Sequence, residues 1–402
     1  MKILRPLLIS TVLLGGGYVC LAETVADGII RVNCNAGASL QRAVDRAEPD
    51  SKLLVTGTCA GPIRVSRNRL TIDGTRTTLI DGQKKNALII QGAQNVVLEN
   101  LEVANGNNGI VLKGGGQAVI KNVSVHDNGA IGILLEGNSS AVLDGGSSRH
   151  NGLNGIDLEA SSSLIIRGSY AVESNAVFGM NINTSSSLTL KNANLQVNQN
   201  TLGIQIATSS GCFITDSTTT IEVNGNVTTG LTIVSGGHMV AFGGTITSEN
   251  NGVHGISVDS KAGFDLDAAA LVESHDNSGD GVHLEENSVM TMFNTPAFSG
   301  VPGVTTLKSF NNGGNGIGIL TGSNLTLIHQ AAINSSTNKG AGIAADNGSS
   351  LTLLGSTVTG NNQKDLRLTF GSRADITTSS IGTITCDATV LVRGDTGTVC
   401  PK

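Results

Sequence analysis

Eleven times between residues 105 and 369 the chain repeats one short phrase: an amide, three variable positions, then glycine and an alternating run. The copies are GIVL at 109, GILLE at 132, GIDLE at 155, GMNIN at 179, GIQIA at 203, GLTIV at 230, GISVD at 255, GVHLE at 281, GIGIL at 316 and GIAAD at 342, with DLRLT at 365 as a degenerate last. Four residues ahead of each stands Asn105, Asn128, Asn151, Asn175, Asn226, Asn251, Asn277, Asn312, Asn338 or Asn361, and in one copy Gln199. The spacings run 23, 23, 24, 24, 27, 25, 26, 35, 26 and 23 residues. Such self-similarity stacks like units in a row rather than wrapping them around one central core.

Each unit carries two short alternating runs, such as SSLTLKN and GIQIA, between Asn/Gly/Ser-rich corners. Alternation with period two is a strand signal, and no copy has an apolar helical period. Two or three strands in some 23 residues, without hairpin dipeptides, imply parallel coiling with turns stacked about 4.8 Å apart. Amides at one corner would then lie above one another and bond along the axis. The expected fold class is all-β, a right-handed parallel β-helix (solenoid) of about eleven rungs. Composition agrees: aromatic residues are 2% of the chain and tryptophan is absent, which suits layers of small and branched aliphatics.

This pattern resembles the right-handed β-helix repeat proteins of the pectin-lyase-like superfamily. The resemblance runs from SLQRAVDRAEPDSKLLVTGTCAGPIRV through RLTIDGTRTTLIDG to about residue 385. The opening segment looks like that family's entry, a short helix and a strand before the first rungs. Leu40, Ala43, Val44 and Ala47 follow Ser39 at helical spacing, and Pro49 ends the run. A helix there would cover the open end of the coil. The resemblance implies an N-terminal cap over 23–66, the β-helix over 67–385 and a C-terminal cap over 386–402. Its functional reach is wide, because this coil serves lyases, hydrolases, epimerases, esterases, adhesins and spike proteins.

Residues 1–22, MKILRPLLISTVLLGGGYVCLA, read as a signal peptide: Lys2 and Arg5 precede an apolar run, and Cys20 and Ala22 put small residues at −3 and −1. The chain is therefore expected to be exported, to periplasm or extracellular space, with no transmembrane segment in the mature chain. Cleavage removes two cations and no acids, taking the net charge from −6 to −8. An acidic chain with dispersed Lys and Arg is no nucleic-acid binder. It also repels polyanionic sugars unless a cation bridges them. Of the five remaining cysteines, Cys34 with Cys59 and Cys386 with Cys400 are the pairs close in sequence, and an oxidising compartment makes them disulfide candidates. Cys212 falls in the inward column Ala118, Ala141, Leu164, Leu188, Cys212, Phe264, Leu325, Leu351, Ala374, so it reads as a small core residue.

In the Gly-led run, Ile110, Ile133, Ile156, Met180, Ile204, Leu231, Ile256, Val282, Ile317 and Ile343 point inward. The residues after them form an outward column through Val111, Leu134, Asp157, Asn181, Gln205, Thr232, Ser257, His283, Gly318, Ala344 and Arg367. A second column holds Lys113, Glu136, Glu159, Asn183, Ala207, Val234, Asp259, Glu285, Leu320, Asp346 and Thr369. Asp157, Glu159, Glu136 and His283 are the catalytic candidates; Asn181, Asn183, Gln205, Asp259 and Glu285 are candidate ligand-binding residues. Glu136 and Glu159 on adjacent rungs would stand roughly 5 Å apart. That suits acid and nucleophile in glycoside hydrolysis, or Ca²⁺ chelation, and crowding would raise one pKa. His283 between Asp259 and Glu285 suits general-base work. A solvated polar outer face would carry the same residues without chemistry.

Departures from the enzyme patterns weigh against catalysis. Basic residues beside an acidic calcium cluster are sparse on this face, with Arg167 and Lys191 on another strand run, and a DD pair, RIK and DPHD are missing, although GVHG occurs at 252–255. No Trp, Phe or Tyr stands in the outward columns to stack on sugars. The long spacing after Asn277 marks an insertion around FNTPAFSGVPG, the most apolar loop of the chain. Two functions remain: polysaccharide contact through the outer face, with enzyme status open between polysaccharide lyase and glycoside hydrolase, or a non-catalytic envelope or surface structural/adhesion protein.

Overall fold

The computed structural model describes residues 28–295, 303–329, 331–394 and 400. The leader at 1–22 and most of the apolar insertion lie outside them. The chain winds as a parallel solenoid. Each turn gives one short strand to a narrow sheet of 14 strands, and one long bent strand or two short ones to a broad sheet of 25. The long strands Gln117–His126, Ser140–Arg149, Ser163–Glu173 and Ser187–Asn198 run straight through a corner. Later turns break there, as in Gly263–Asp267 and Leu271–His275. Pairing is parallel and in register from turn to turn, for instance Ile133 on Ile156 on Met180.

The alternation in the sequence explains the core. The inward columns stack directly: Ala118, Ala141, Leu164, Leu188 and Cys212 are consecutive partners. Together with Ile110 to Ile343 they line one continuous hydrophobic bore. Burying one such aliphatic contributes about 1.5–3 kcal/mol, and every turn repeats it. The first helix, α1 (Leu40–Arg46), starts where the Ser39 hydroxyl accepts from the Arg42 N–H at 3.3 Å. Its Leu40, Ala43 and Val44 join the same core as the first strands. Disulfides join Cys34 to Cys59 and Cys386 to Cys400. Cys212 is buried, and burial pushes its thiol up to about 12.

Three features differ from the sequence reading. The narrow sheet has fourteen strands among the described residues, not eleven, because Ile63–Val65, Leu88–Gln91 and Ile384–Cys386 also belong to it. At the repeat's glycine position these rungs carry Pro62, Ala87 and Thr383, so the signature is missing while the strand remains. The amide ladder skips Gln199: the Asn175 side chain donates to Asn200 Oδ1 at 3.0 Å, and the Asn200 N–H donates to Asn226 Oδ1 at 3.0 Å. The longer Gln199 is left on the exposed corner. Asn105 is also outside the ladder, since Gly106 stands over Asn128 and its N–H donates to Asn128 Oδ1 at 2.9 Å.

The ladder itself is continuous from Asn128. Its amide bonds Asn151 Oδ1 at 2.9 Å, Asn151 bonds Asn175 Oδ1 at 2.9 Å, and the series runs through Asn226, Asn251, Asn277, Asn312 and Asn338. It ends where Asn361 donates to Asp365 Oδ1 at 2.9 Å. Burial opposes the Asp365 charge, but bonds from Asn361 and Thr383 outweigh it and hold the carboxyl below its ordinary value. A carboxylate is thus the last acceptor of the ladder. The repeat glycine has a related cause. A Cβ at Gly255 would collide with Ser274 Oγ and the Asn277 amide of the next rung.

Candidate functional site

The residue before each repeat glycine was not singled out in the sequence, yet it decides the site. The corner loop folds back so that this residue lies against the outer side of the narrow sheet. On the rung of Ile156–Leu158 it is Asn154, whose amide donates to Asp157 Oδ2 at 2.7 Å. Four and five rungs further on, in a second cluster, it is His254 and Asp280.

Asp157 is therefore not solvent-facing as expected: it is 3% exposed, and Asn181 is 7% exposed. Asn181 donates to Asp157 Oδ1 at 3.0 Å, and Gln205 donates to Asn181 Oδ1 at 3.3 Å. Both Asp157 oxygens have donors. Burial lifts its carboxyl to about 6, opposed by the Asn154 and Asn181 bonds and aided by Glu159. Burial, rather than crowding of paired glutamates, is the leading cause. Glu136 and Glu159 do occupy equivalent places on adjacent rungs, following the paired Leu135 and Leu158, and both are half-buried. Asn183 turns its oxygen to the Thr184 N–H at 2.8 Å, and Ala207 is buried rather than outward.

His283 stands in a second cluster, five rungs further on and on the order of 24 Å away along the axis at normal strand spacing. The two groups cannot act on one bond. Here His283 Nδ1 lies 2.9 Å from Asp280 Oδ2, and Nε2 lies 3.3 Å from Glu285 Oε2. The His254 ring stacks on His283 with centroids 4.3 Å apart. His254 Nδ1 accepts the Asp280 N–H at 3.1 Å, so a neutral His254 carries its proton on Nε2. Asp280 Oδ1 accepts the Asn315 N–H at 2.6 Å. The Ser257 hydroxyl donates to Asp259 Oδ2 at 2.7 Å, while Asp259 Oδ1 is buried with no hydrogen-bond partner among the described residues.

The two histidines are driven apart. Burial, reinforced by the His283 ring, holds His254 below the ordinary histidine range. Burial opposes the His283 cation too, but Asp280, Glu285 and Asp259 outweigh it and raise its pKa. Burial also lifts Asp259, partly offset by Ser257. One neutral and one charged imidazole in contact make a site able to accept and donate a proton near neutral pH. Beside it lies a hollow of about 280 Å³ lined by Ser260, Lys261, Glu286, Asn287 and Thr321. GVHG at 252–255 was the only sequence signal that touched His254. Nothing in the periodicity pointed to Asp280.

A coil of parallel strands with stacked aliphatics and an internal amide ladder is a right-handed parallel β-helix. Residues 63–228 match the family described as "Right handed beta helix region". No curated protein sequence matches the chain. Among solved structures it is similar to a periplasmic alginate epimerase, AlgG, with 12% identity, TM-score 0.42, 91% of this chain and 84% of that one covered. It is also similar to the A-module of the Azotobacter vinelandii mannuronan C-5 epimerase AlgE6, with 12% identity, TM-score 0.37, and 92% and 100% covered. The Agl-KA catalytic domain is a third, with 11% identity, TM-score 0.31, and 91% and 68% covered. Among the described residues no helix is long and apolar enough to cross a membrane.

Proposed function

We propose that the protein contacts polysaccharide along the outer side of the narrow sheet. One observation carries the reading. Six consecutive rungs carry Asp157, Asn181, Gln205, Thr232, Ser257 and His283 on that side, of which Gln205, Thr232 and His283 are part-exposed; the flanking rungs carry Ile89, Val111 and Leu134 before and Gly318 and Ala344 after, and the column turns polar again at Arg64 and Arg367. Solubility alone does not require polarity to start and stop on one stripe. A straight polar stripe parallel to the coil axis fits an extended chain of hydroxyl-bearing units. Gln205, held by the buried Asn181, would bind together with Thr232, and the His254–His283 pair at one end would supply the proton transfer that a lyase or hydrolase needs. The two disulfides fit an exported protein, in periplasm or outside the cell.

The test is binding of the full chain to immobilised neutral and acidic glycans, beside the double variant Asn181→Ala/Gln205→Ala. Retention at least tenfold weaker in the variant supports the reading; equal retention, or none of any glycan by the unaltered chain, ends it. A non-catalytic surface rod is the second reading. It is favoured by Asp157, whose burial and two donors suit a structural acid better than a reacting one. Glycan retention without product release from any glycan would select it over an enzyme.

A further inference from the structure

Three carboxylates surround His283, and the hydrogen bonds around it assign each a different part. Asp280 faces Nδ1 at 2.9 Å and is itself anchored by the Asn315 N–H, so it holds the Nδ1 proton. The second proton of the His283 imidazolium is then on Nε2, shared with Glu285 Oε2 at 3.3 Å. Without that proton the Nε2 lone pair would face a carboxylate, so once it leaves, a metal ion is the cation that fits between them. Asp259 supplies the second observation, because its buried Oδ1 has no hydrogen-bond partner among the described residues. Donor atoms of Asp259, His283 and Glu285 lie within 4.8 Å of one another.

We propose that Asp259, His283 and Glu285 form a binding site for a divalent transition-metal ion such as Zn²⁺ or Mn²⁺. Ligands around such an ion sit about 2.0–2.2 Å from it, so the three donors need only side-chain rotation to close on it. One imidazole with two carboxylates selects this class over Ca²⁺, which takes oxygen donors alone. His254, Asp280 and His283 are the competing trio. That set is disfavoured, since His254 Nδ1 is occupied by the Asp280 N–H and His283 Nδ1 by Asp280 itself. Asp280 is instead a positioning residue that fixes the His283 tautomer, the role a carboxylate behind a metal-bound histidine plays. His254 covers the ring face. The ion would replace the proton on Nε2 and release it to solvent.

This inference does not rest on the glycan reading, because the ion is titrated alone. The experiment is calorimetric titration of the full chain with ZnCl₂ at pH 7.5, repeated with CaCl₂. One ion per chain is expected, with affinity for Zn²⁺ at least tenfold above Ca²⁺. His283→Gln and Asp259→Asn should each lower it at least tenfold, and Asp280→Asn about 10- to 100-fold with the stoichiometry kept. His238→Gln, which alters a histidine–carboxylate pair on the broad sheet, should change nothing. Circular dichroism of each variant separates lost binding from lost fold. As a second readout, Co²⁺ should give a visible absorption band that His283→Gln removes. Absence of Zn²⁺ binding, equal Ca²⁺ binding, or Zn²⁺ affinity indifferent to His283→Gln and Asp259→Asn overturns the proposal.

Discussion

Asp157 shows how one residue's environment can contradict its sequence neighbourhood. Its alternation position was legible, and so was its column; its burial was not, because Asn154 reaches over it from the corner. Its carboxyl titrates at about 6 in the folded chain against 3.8 for the exposed group. A folded pKa raised in this way means that its contribution is fully present below about pH 4 and is lost as pH rises through about 6. Two pKa units are worth about 3 kcal/mol, so the ionised carboxylate costs roughly that much at pH 7. Asp157→Asn should therefore flatten the fall in denaturation midpoint between pH 4.5 and 7, as followed by urea titration. A variant that keeps the full slope would show that other groups carry it. His254 and Asp280 were equally hidden, since a residue in an irregular corner has no period to betray which side it covers.

At the scale of the repeated element, two rules hold each turn to the next: an asparagine at the corner and a glycine beside it. Asn251 lies mid-ladder, where its oxygen accepts from the Asn226 N–H at 3.0 Å and its amide serves Val223 O, Ser248 Oγ and Asn277 Oδ1. Asn251→Ala leaves a buried N–H and a buried carbonyl unpaired and should cost about 3 kcal/mol. Asn105→Gly, at an exposed left-handed position outside the ladder, should stay within about 0.5 kcal/mol. Comparable losses in both, measured by thermal unfolding, would refute the ladder's role. Gly255→Ala should be at least as harmful as Asn251→Ala, because the added methyl meets Ser274 and Asn277 in the next turn. These rules explain which part of the fold could be read. The inward columns were found because alternation is set by the pleat and survives substitution. Three rungs were missed because Pro62, Ala87 and Thr383 satisfy the strand without the glycine. Gln199 misled because spacing counts positions, whereas the buried site selects a short amide, and Asn200 was one residue away.

For the whole molecule, the proposed contact stripe and the net charge pull in different directions. The chain carries a net charge of −6, and Asp157, Glu159, Asp259, Asp280 and Glu285 stand along the stripe or at its ends. Repulsion between such a surface and a uronate-type polymer acts over about 8–10 Å and is weakened by salt. Neutral polymers feel no such force, so their binding rests on hydrogen bonds and should change little. Binding of an acidic glycan should therefore strengthen from 20 to 200 mM NaCl, opposite to the behaviour of a basic groove. Length matters too. Six rungs span on the order of 24 Å between the Asp157 and His283 ends, so affinity should climb with oligosaccharide length until that span is covered and then level off. Calorimetry on a length series of neutral and acidic oligosaccharides at both salt concentrations reads the two effects together. Acidic binding that weakens with salt would place contact on a basic region elsewhere. Affinity that is flat from the shortest member would confine contact to a single pocket, such as the hollow beside Lys261 and Glu286.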